Sequence, residues 1–262
     1  MTDMPSVSVV MPIYNAEPFL IQALDSVLGQ TLDSIEVICV NDGSKDRSLD
    51  IMQEYASNDP RIKIIDKPNA GYGQTMNVGI SASTGEYIGI LEPDDYLKPT
   101  MYETLYKSAK EHDLDFVRSD YFRLTTDKDG IDHLKREPIC FKSEYYDTVL
   151  NPQENLDLFN IRMENWTGIF KRSWIEGHDI RFNESPGAGF QDNGFWFQSY
   201  CWAKKIMVVN EGFYCYRVDN AASSINQTDK VFVMLDEYRW IENWLRSKPE
   251  LYCKFIGVFH YK

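Results

Sequence analysis

Residues 84–95 read TGEYIGILEPDD, and the fold turns on this stretch. Residues 87–91 (YIGIL) are too few and too apolar for an exposed helix, and they read as a buried β-strand. The strand empties at once into Glu92, Asp94 and Asp95. Three carboxylates so close in sequence repel one another unless a cation, a proton or solvent relieves them.

Outward from that strand the same pattern recurs. Residues 7–11 (VSVVM), 35–40 (IEVICV) and 62–65 (IKII) are equally short and apolar, and residues 116–118 are expected to add a fifth strand. Between them, residues 18–28 place Phe19, Leu20, Ala23, Leu24 and Val27 at helical spacing; residues 48–55 do the same with Leu49, Ile51, Met52 and Tyr55. Further helices are predicted over residues 74–83 and, behind the start signal Pro99, over residues 100–112. Strands alternating with sheet-covering helices predict an α/β fold with an open, mostly parallel central sheet. Right-handed crossovers gather the loops that follow the strands along one edge, where such sheets bind ligands.

Past residue 120 the alternation fails. Residues 125–130 (TTDKDG) form a polar, turn-rich break that divides residues 1–124 from an irregular second half, residues 125–262. That half is expected to hold a helix over residues 191–203, strands over 206–209 and 213–217, and a long helix over 229–246. On the long helix Leu235, Tyr238, Ile241, Trp244 and Leu245 share a face that reads first as packing, with a partner or membrane surface as the other reading. The apolar end FIGVFHYK carries no stop signal, as expected of a chain that continues past Lys262.

Composition narrows the function. With 43% hydrophobic residues among 262, the chain can bury a sizeable core. Forty acidic against 27 basic residues, a formal charge of -13, argue against a broad nucleic-acid footprint. An anionic small ligand is admitted only where a metal or a few Arg and Lys side chains reverse the local field. Five scattered cysteines without a C-x-x-C suggest neither a zinc site nor a disulfide framework, and a reducing cytoplasm is the expected setting. The beginning MTDMPSVSVV does not read as a signal peptide, and no stretch is long and apolar enough to span a bilayer. Peripheral contact with the inner membrane face fits that expectation. His112, His133, His178 and His260 stand in unrelated contexts, without the paired spacing of a histidine metal cluster.

Each strand end on the ligand edge runs into polar residues. The first leads into Pro12-Ile13-Tyr14-Asn15-Ala16-Glu17 and the second into Asn41-Asp42-Gly43-Ser44, which a turn with a helix N-cap already explains. A solvated loop would also account for residues 92–95, yet their place directly after an apolar strand favours a metal. Hard oxygen ligands suit Mg²⁺ or Mn²⁺.

Four segments then share one order and spacing: PIYNAEPFLIQALDSVLGQT (12–31), VNDGSKDRS (40–48), NAGYGQTMNVGI (69–80) and TGEYIGILEPDD (84–95). Together they resemble family 2 of the inverting glycosyltransferases, which have the GT-A fold. The resemblance implies that Asp42 accepts from the base of a nucleotide, and that Pro12, Tyr14, Asn15 and Glu17 line a uridine pocket. It places Gly71 and Asn77 near ribose and diphosphate. The family's D-x-D metal motif appears as Glu92-Pro93-Asp94, with Asp94 and the adjacent Asp95 as ligands and the longer Glu92 reaching ribose or a metal-bound water. In residues 186–193 (PGAGFQDN) the family's acidic pair appears as Gln191-Asp192, so that only Asp192 can serve as catalytic base; helix capping is the competing explanation. Downstream, Arg217 and the Ser223-Ser224 pair match the strand and loop that follow the base. Arg217 is expected to meet the diphosphate or the acceptor, or else to form a surface ion pair. Trp166 either stacks on a sugar or packs in the core.

The expected reaction moves a sugar from a nucleoside diphosphate sugar, of the UDP type, to a hydroxyl of a saccharide or lipid-linked acceptor in surface polysaccharide synthesis. A dinucleotide oxidoreductase would need G-x-G-x-x-G after the first strand, and a nucleotidylyltransferase a Gly- and Arg-rich loop there; the chain has neither. The competing class is a catalytically silent relative that binds nucleotide or glycan, motivated by Glu92 and Gln191.

Overall fold

The computed structural model describes residues 4–220 and 231–261. The first half follows the predicted rhythm: β1 (Val7–Ile13), α1 (Leu20–Leu28), β2 (Ile35–Asp42), α2 (Ser48–Asn58), β3 (Ile62–Lys67), α3 (Tyr72–Ala82) and β4 (Tyr87–Ile90). Next come the short β5 (Tyr96–Leu97), α4 (Met101–His112), β6 (Phe116–Thr126), β7 (Asp132–Glu137), β8 (Gly168–Lys171) and α5 (Arg172–Gly177). The remainder is α6 (Gln191–Trp202), β9 (Ile206–Arg217), α7 (Val231–Arg246) and α8 (Pro249–Tyr261).

One sheet gathers all nine strands, in the order β3-β2-β1-β4-β8-β6-β9-β5, with β7 beside β6. β1 to β4 pair in parallel, as buried βα units must, and every residue of β1, β2 and β4 is buried. Register aligns their carboxyl ends, Val10 standing opposite Ile90 and Ile13 opposite Asn41. Antiparallel β8 bridges β4 to β6, which pairs in parallel with β9.

The expected division after residue 124 falls within β6, whose neighbours β8 and β9 come from later in the chain, so a single sheet spans both sides. Two expectations change. The polar break is the turn of the β6–β7 hairpin, closed by Gly130 N donating to Asp127 O at 3.0 Å. The two strands expected over 206–209 and 213–217 are one strand, β9, interrupted in pattern because its pairing with β6 shifts register around Asp120. The start of the long helix at residue 229 lies outside the described residues. On α7 the expected packing face holds for Ile241 and Leu245, which are buried, while Leu235 stays 46% exposed.

Behind the sheet, Phe159 packs against Trp196, Phe197, Tyr200 and Phe255, joining the second half's helices to the core. The fully buried Arg118 of β6 donates to Arg162 O, Glu164 O, Thr167 Oγ1 and Tyr200 Oη. These bonds fix residues 162–167 against the sheet, a placement the site depends on. Among the described residues no helix is long and apolar enough to cross a membrane, and the five cysteines are free thiols.

Candidate active site

The loops after β1 and β2 are stitched together. Asn15, in a left-handed conformation, accepts from Lys45 N at 2.8 Å and donates its own N–H to Ser44 Oγ; Glu17 accepts from Arg47 N at 3.1 Å. Pro12 is buried in β1, whereas Tyr14 stands 48% exposed at the rim. Of the residues expected to line a uridine pocket, Tyr14 is thus the one whose ring is open, while Asn15 and Glu17 tie the two loops together.

Asp42, at the end of β2, accepts from Ala70 N at 2.9 Å and Gly71 N at 3.0 Å and pairs with Lys67. It therefore fixes the turn that starts α3. Gly71 has a φ of +93°, and a Cβ there would stand 2.9 Å from Gly187 N. Only glycine tolerates both the left-handed backbone and the close approach. Tyr72 N donates to Gly187 O at 2.9 Å, and Asn77 donates to Phe182 O and Glu184 Oε1 while accepting from Phe182 N. Gly71 and Asn77, expected beside ribose and diphosphate, clamp α3 to residues 182–187 of the second half.

The acidic stretch after β4 divides by environment. Asp95 is 1% exposed, and its two oxygens accept from Tyr214 Oη at 2.8 Å and Arg217 N at 2.7 Å. The Asp95 carboxylate, expected as a metal ligand, is turned into the fold and bonded to β9. Asp94 is partly exposed and accepts from Asn220 Nδ2 at 2.8 Å. Glu92 accepts from Tyr72 Oη at 2.7 Å, and its N–H donates to Tyr214 Oη. Burial, with Asp94 and Asp192 adding repulsion, pushes the Glu92 carboxyl up to about 8.

Arg217 is only 6% exposed, and the ion pair it forms, with Asp219 at 3.7 Å, is buried on the arginine side. Its guanidinium donates to Asp94 O, Thr126 Oγ1 and Gln22 Oε1 and lies over the Phe19 ring at 4.8 Å, stapling β9 and α1 to the acidic loop. Trp166 packs flat on Tyr216 at 5.2 Å and edge-on to Tyr121, which favours the packing reading. Ser223 and Ser224 lie outside the described residues.

Asp192 belongs to the first turn of α6, but the N-cap is Phe190, left-handed and without a side-chain cap bond. Asp192 is therefore not the N-cap itself, although an acid in the first turn favours the helix N-terminus. Gln191 accepts from Gly189 N and donates to Ser185 Oγ, tying the preceding loop, a task that needs both a donor and an acceptor. Asn165, on the segment held by Arg118, donates to Asp192 O at 2.7 Å. The Asp192 charge raises both Glu92 and Tyr72, so it lies within electrostatic reach of the acidic loop. Tyr72, Tyr214, Asn165 and, on α7, the buried Glu237 complete the setting, and sequence reasoning singled out none of them. Tyr72 sat inside the quoted NAGYGQT; Glu237 carried one signal, an acid four residues before the buried Ile241.

Among the described residues no group of three or more His, Cys, Asp or Glu side chains gathers to hold a metal unaided. The donor set still fits Mg²⁺ or Mn²⁺ arriving with a diphosphate, since such ions take one or two carboxylates and complete their shell with phosphate oxygens and water. Glu92 and Asp94 would supply those two, and a cation there would relieve the burial and repulsion that raise Glu92.

Residues 8–171, well over half of the chain, match the family described as Glycosyl transferase family 2. The chain belongs to that family. Among relatives, it is 32% identical to glycosyltransferase GlyG of Streptococcus pneumoniae, over 96% of this chain and 79% of GlyG. It is also 32% identical to the uncharacterized glycosyltransferase EpsJ of Bacillus subtilis, over 81% of this chain, and spans 61% of EpsJ's length. The family fold is matched in solved structures by S. aureus TarS 1-349 in complex with UDP-GlcNAc, at 19% identity and a TM-score of 0.75 over 92% of this chain and 66% of that one. The mixed sheet described above is thus of the GT-A type.

Proposed function

We propose that the protein is an inverting, metal-assisted glycosyltransferase that moves a sugar from a UDP-sugar to a hydroxyl of a saccharide or lipid-linked acceptor. One observation supports the reading: Asp192, from the second half, lies close enough to Glu92, from the first, to help raise its carboxyl. Base and leaving-group sites would thereby lie near one another. The TarS complex with UDP-GlcNAc and the glycosyltransferase names of the relatives support the donor class. Residues 4–124 would form the donor side and later residues the acceptor side, joined by one sheet. Surface polysaccharide synthesis on the cytoplasmic side, with peripheral membrane contact, is the setting we infer; free thiols agree with a reducing compartment.

The steps follow from the residues. Tyr14 at the rim and the turn held by Asp42 offer the nucleotide its seat. Glu92 and Asp94 would hold a cation, which when bound neutralises charge on the departing diphosphate. Asp192 takes the proton of the acceptor hydroxyl as its oxygen bonds to the anomeric carbon, on the face opposite the breaking bond to UDP. Inversion results. General-base help of this kind is worth about 10²- to 10⁴-fold in rate.

The Gln191 and Glu92 departures have structural explanations in the loop bonds of Gln191 and the Tyr72 contact of Glu92, and neither requires a silent protein. In the test, calorimetry of UDP and UDP-sugars with EDTA, Mg²⁺ or Mn²⁺ accompanies turnover assays of wild type and Asp192→Asn. Expected are cation-dependent binding in both proteins and turnover in wild type alone. Undiminished turnover in Asp192→Asn would remove the base; binding indifferent to cations would remove the metal.

A further inference from the structure

The first turn of α6 lacks a cap of its own, because Phe190 offers no side-chain acceptor. Exposed helix N–H groups need partners, and an unmet one in a buried turn is costly. The acceptor comes from another helix. Glu237 of α7, 1% exposed, takes Gly194 N on Oε1 at 3.1 Å and Asn183 Nδ2 on Oε2 at 2.7 Å. Space for it exists because residue 194 is glycine: a Cβ there would stand 2.4 Å from Glu237 Oε1 and 2.7 Å from Trp240 Cζ3. One carboxylate thus fixes both the turn that carries Asp192 and residue 183, whose backbone packs onto α3 where a Cβ at Gly73 would meet Asn183 O at 1.8 Å.

We propose that Glu237 is a positioning residue for sugar transfer, holding the first turn of α6 and the 183–189 segment so that the Asp192 carboxylate meets the acceptor hydroxyl. The proposal rests on the reading of Asp192 as the base. Burial raises Glu237 to about 7, with Asp192 adding repulsion. Tyr238 feels both charges; nearby Arg239 pairs with Asp236, and Arg181 with Asp179.

The experiment uses the full chain and compares Glu237→Gln, Asn183→Ala and Asp192→Asn for kcat, donor KM and nucleotide affinity. Glu237→Gln is expected to lower kcat at least tenfold and keep donor KM and UDP affinity within about twofold. Asn183→Ala, at a partly exposed position, is expected to lower kcat by a smaller factor on the same pattern. A folded Glu237→Gln with wild-type kcat overturns the proposal, as does a loss shared equally between kcat and nucleotide affinity. If Glu237→Gln does not fold, Asn183→Ala decides, and an unchanged kcat there overturns it. Should Asp192→Asn itself keep transfer, the base assignment fails, a result distinct from any outcome at Glu237.

Discussion

Glu36 and Glu92 sit at opposite ends of the parallel strands, and their surroundings differ in donor supply and in neighbouring charge. At the amino end, Glu36 is 3% exposed and surrounded by donors: Ser8 Oγ, Thr84 N and Oγ1, Gly85 N and Lys63 Nζ. Burial alone would raise it; the bonds from Lys63, Ser8 and Thr84 outweigh burial and hold the carboxyl down at about 2. At the carboxyl end, Glu92 has Tyr72 Oη as its side-chain donor and faces Asp94 and Asp192, and it stands at about 8. Two carboxylates on one scaffold are thus driven apart by donor supply. The amino end spends its charge on holding strands together; the carboxyl end keeps charge unbalanced, the state in which a cation binds with most to gain.

The largest effect should come from the two ends' separate duties. Asp192→Asn is expected to cut transfer by about 10²- to 10⁴-fold while leaving the melting temperature within a few degrees. A variant that melts early would place Asp192 with Glu36 among the structural carboxylates. Glu36→Gln should do the reverse: breaking a buried, multiply bonded ion pair costs roughly 3 kcal/mol, or about 6–12 °C in a chain of this size, with turnover per folded molecule unchanged. Normal melting there would erase the contrast.

Next in size is the pH response. An unfolded glutamate ionises near 4.5, and folded Glu92 keeps its proton to about 8. Between those values the folded state binds the extra proton, so stability from this group falls as pH rises and is gone above 8. Glu36 runs the other way, adding stability as pH climbs from about 2 to 4.5. Glu92→Gln should therefore match wild type near pH 4.5 and melt higher by a few degrees near pH 8. It should also weaken UDP binding in Mn²⁺. Parallel curves at both pH values would show that Glu92 is not strained.

Most of the first half was legible, and the reason is local. β1 to β4 are short apolar runs separated by helical spacing, so each declares itself without reference to the rest. The ligand edge follows from where those runs end, which is why Glu92, Asp94 and Asp42 could be singled out. Contacts made across long sequence distances were not legible. Nothing in residues 92–95 says that Tyr214 and Arg217 will claim Asp95, since both bonds span about 120 residues. Likewise Gly71 serves Gly187, and Asn77 serves Phe182 and Glu184, from the other half. The hairpin strand β7, with burial pattern eeieei, shows little apolar periodicity, and the polar turn before it therefore read as a boundary.

The finest test of the contrast is the bond from Tyr72 to Glu92. This donor favours the ionised carboxyl, the influence that Glu36 enjoys several times over. Tyr72→Phe keeps the ring, and with it the edge contact to Phe182 at 5.8 Å, and deletes only the hydroxyl. The net cost of one hydrogen bond is about 1 kcal/mol, a shift of roughly 2–4 °C. The position of the pH response is the sharper readout. Without the donor, Glu92 holds its proton beyond about 8, so the decline in stability that wild type completes near that pH should continue to higher values. A decline with an unmoved upper end would mean that repulsion and burial alone set Glu92, and donor supply would no longer explain why the two ends of the sheet differ.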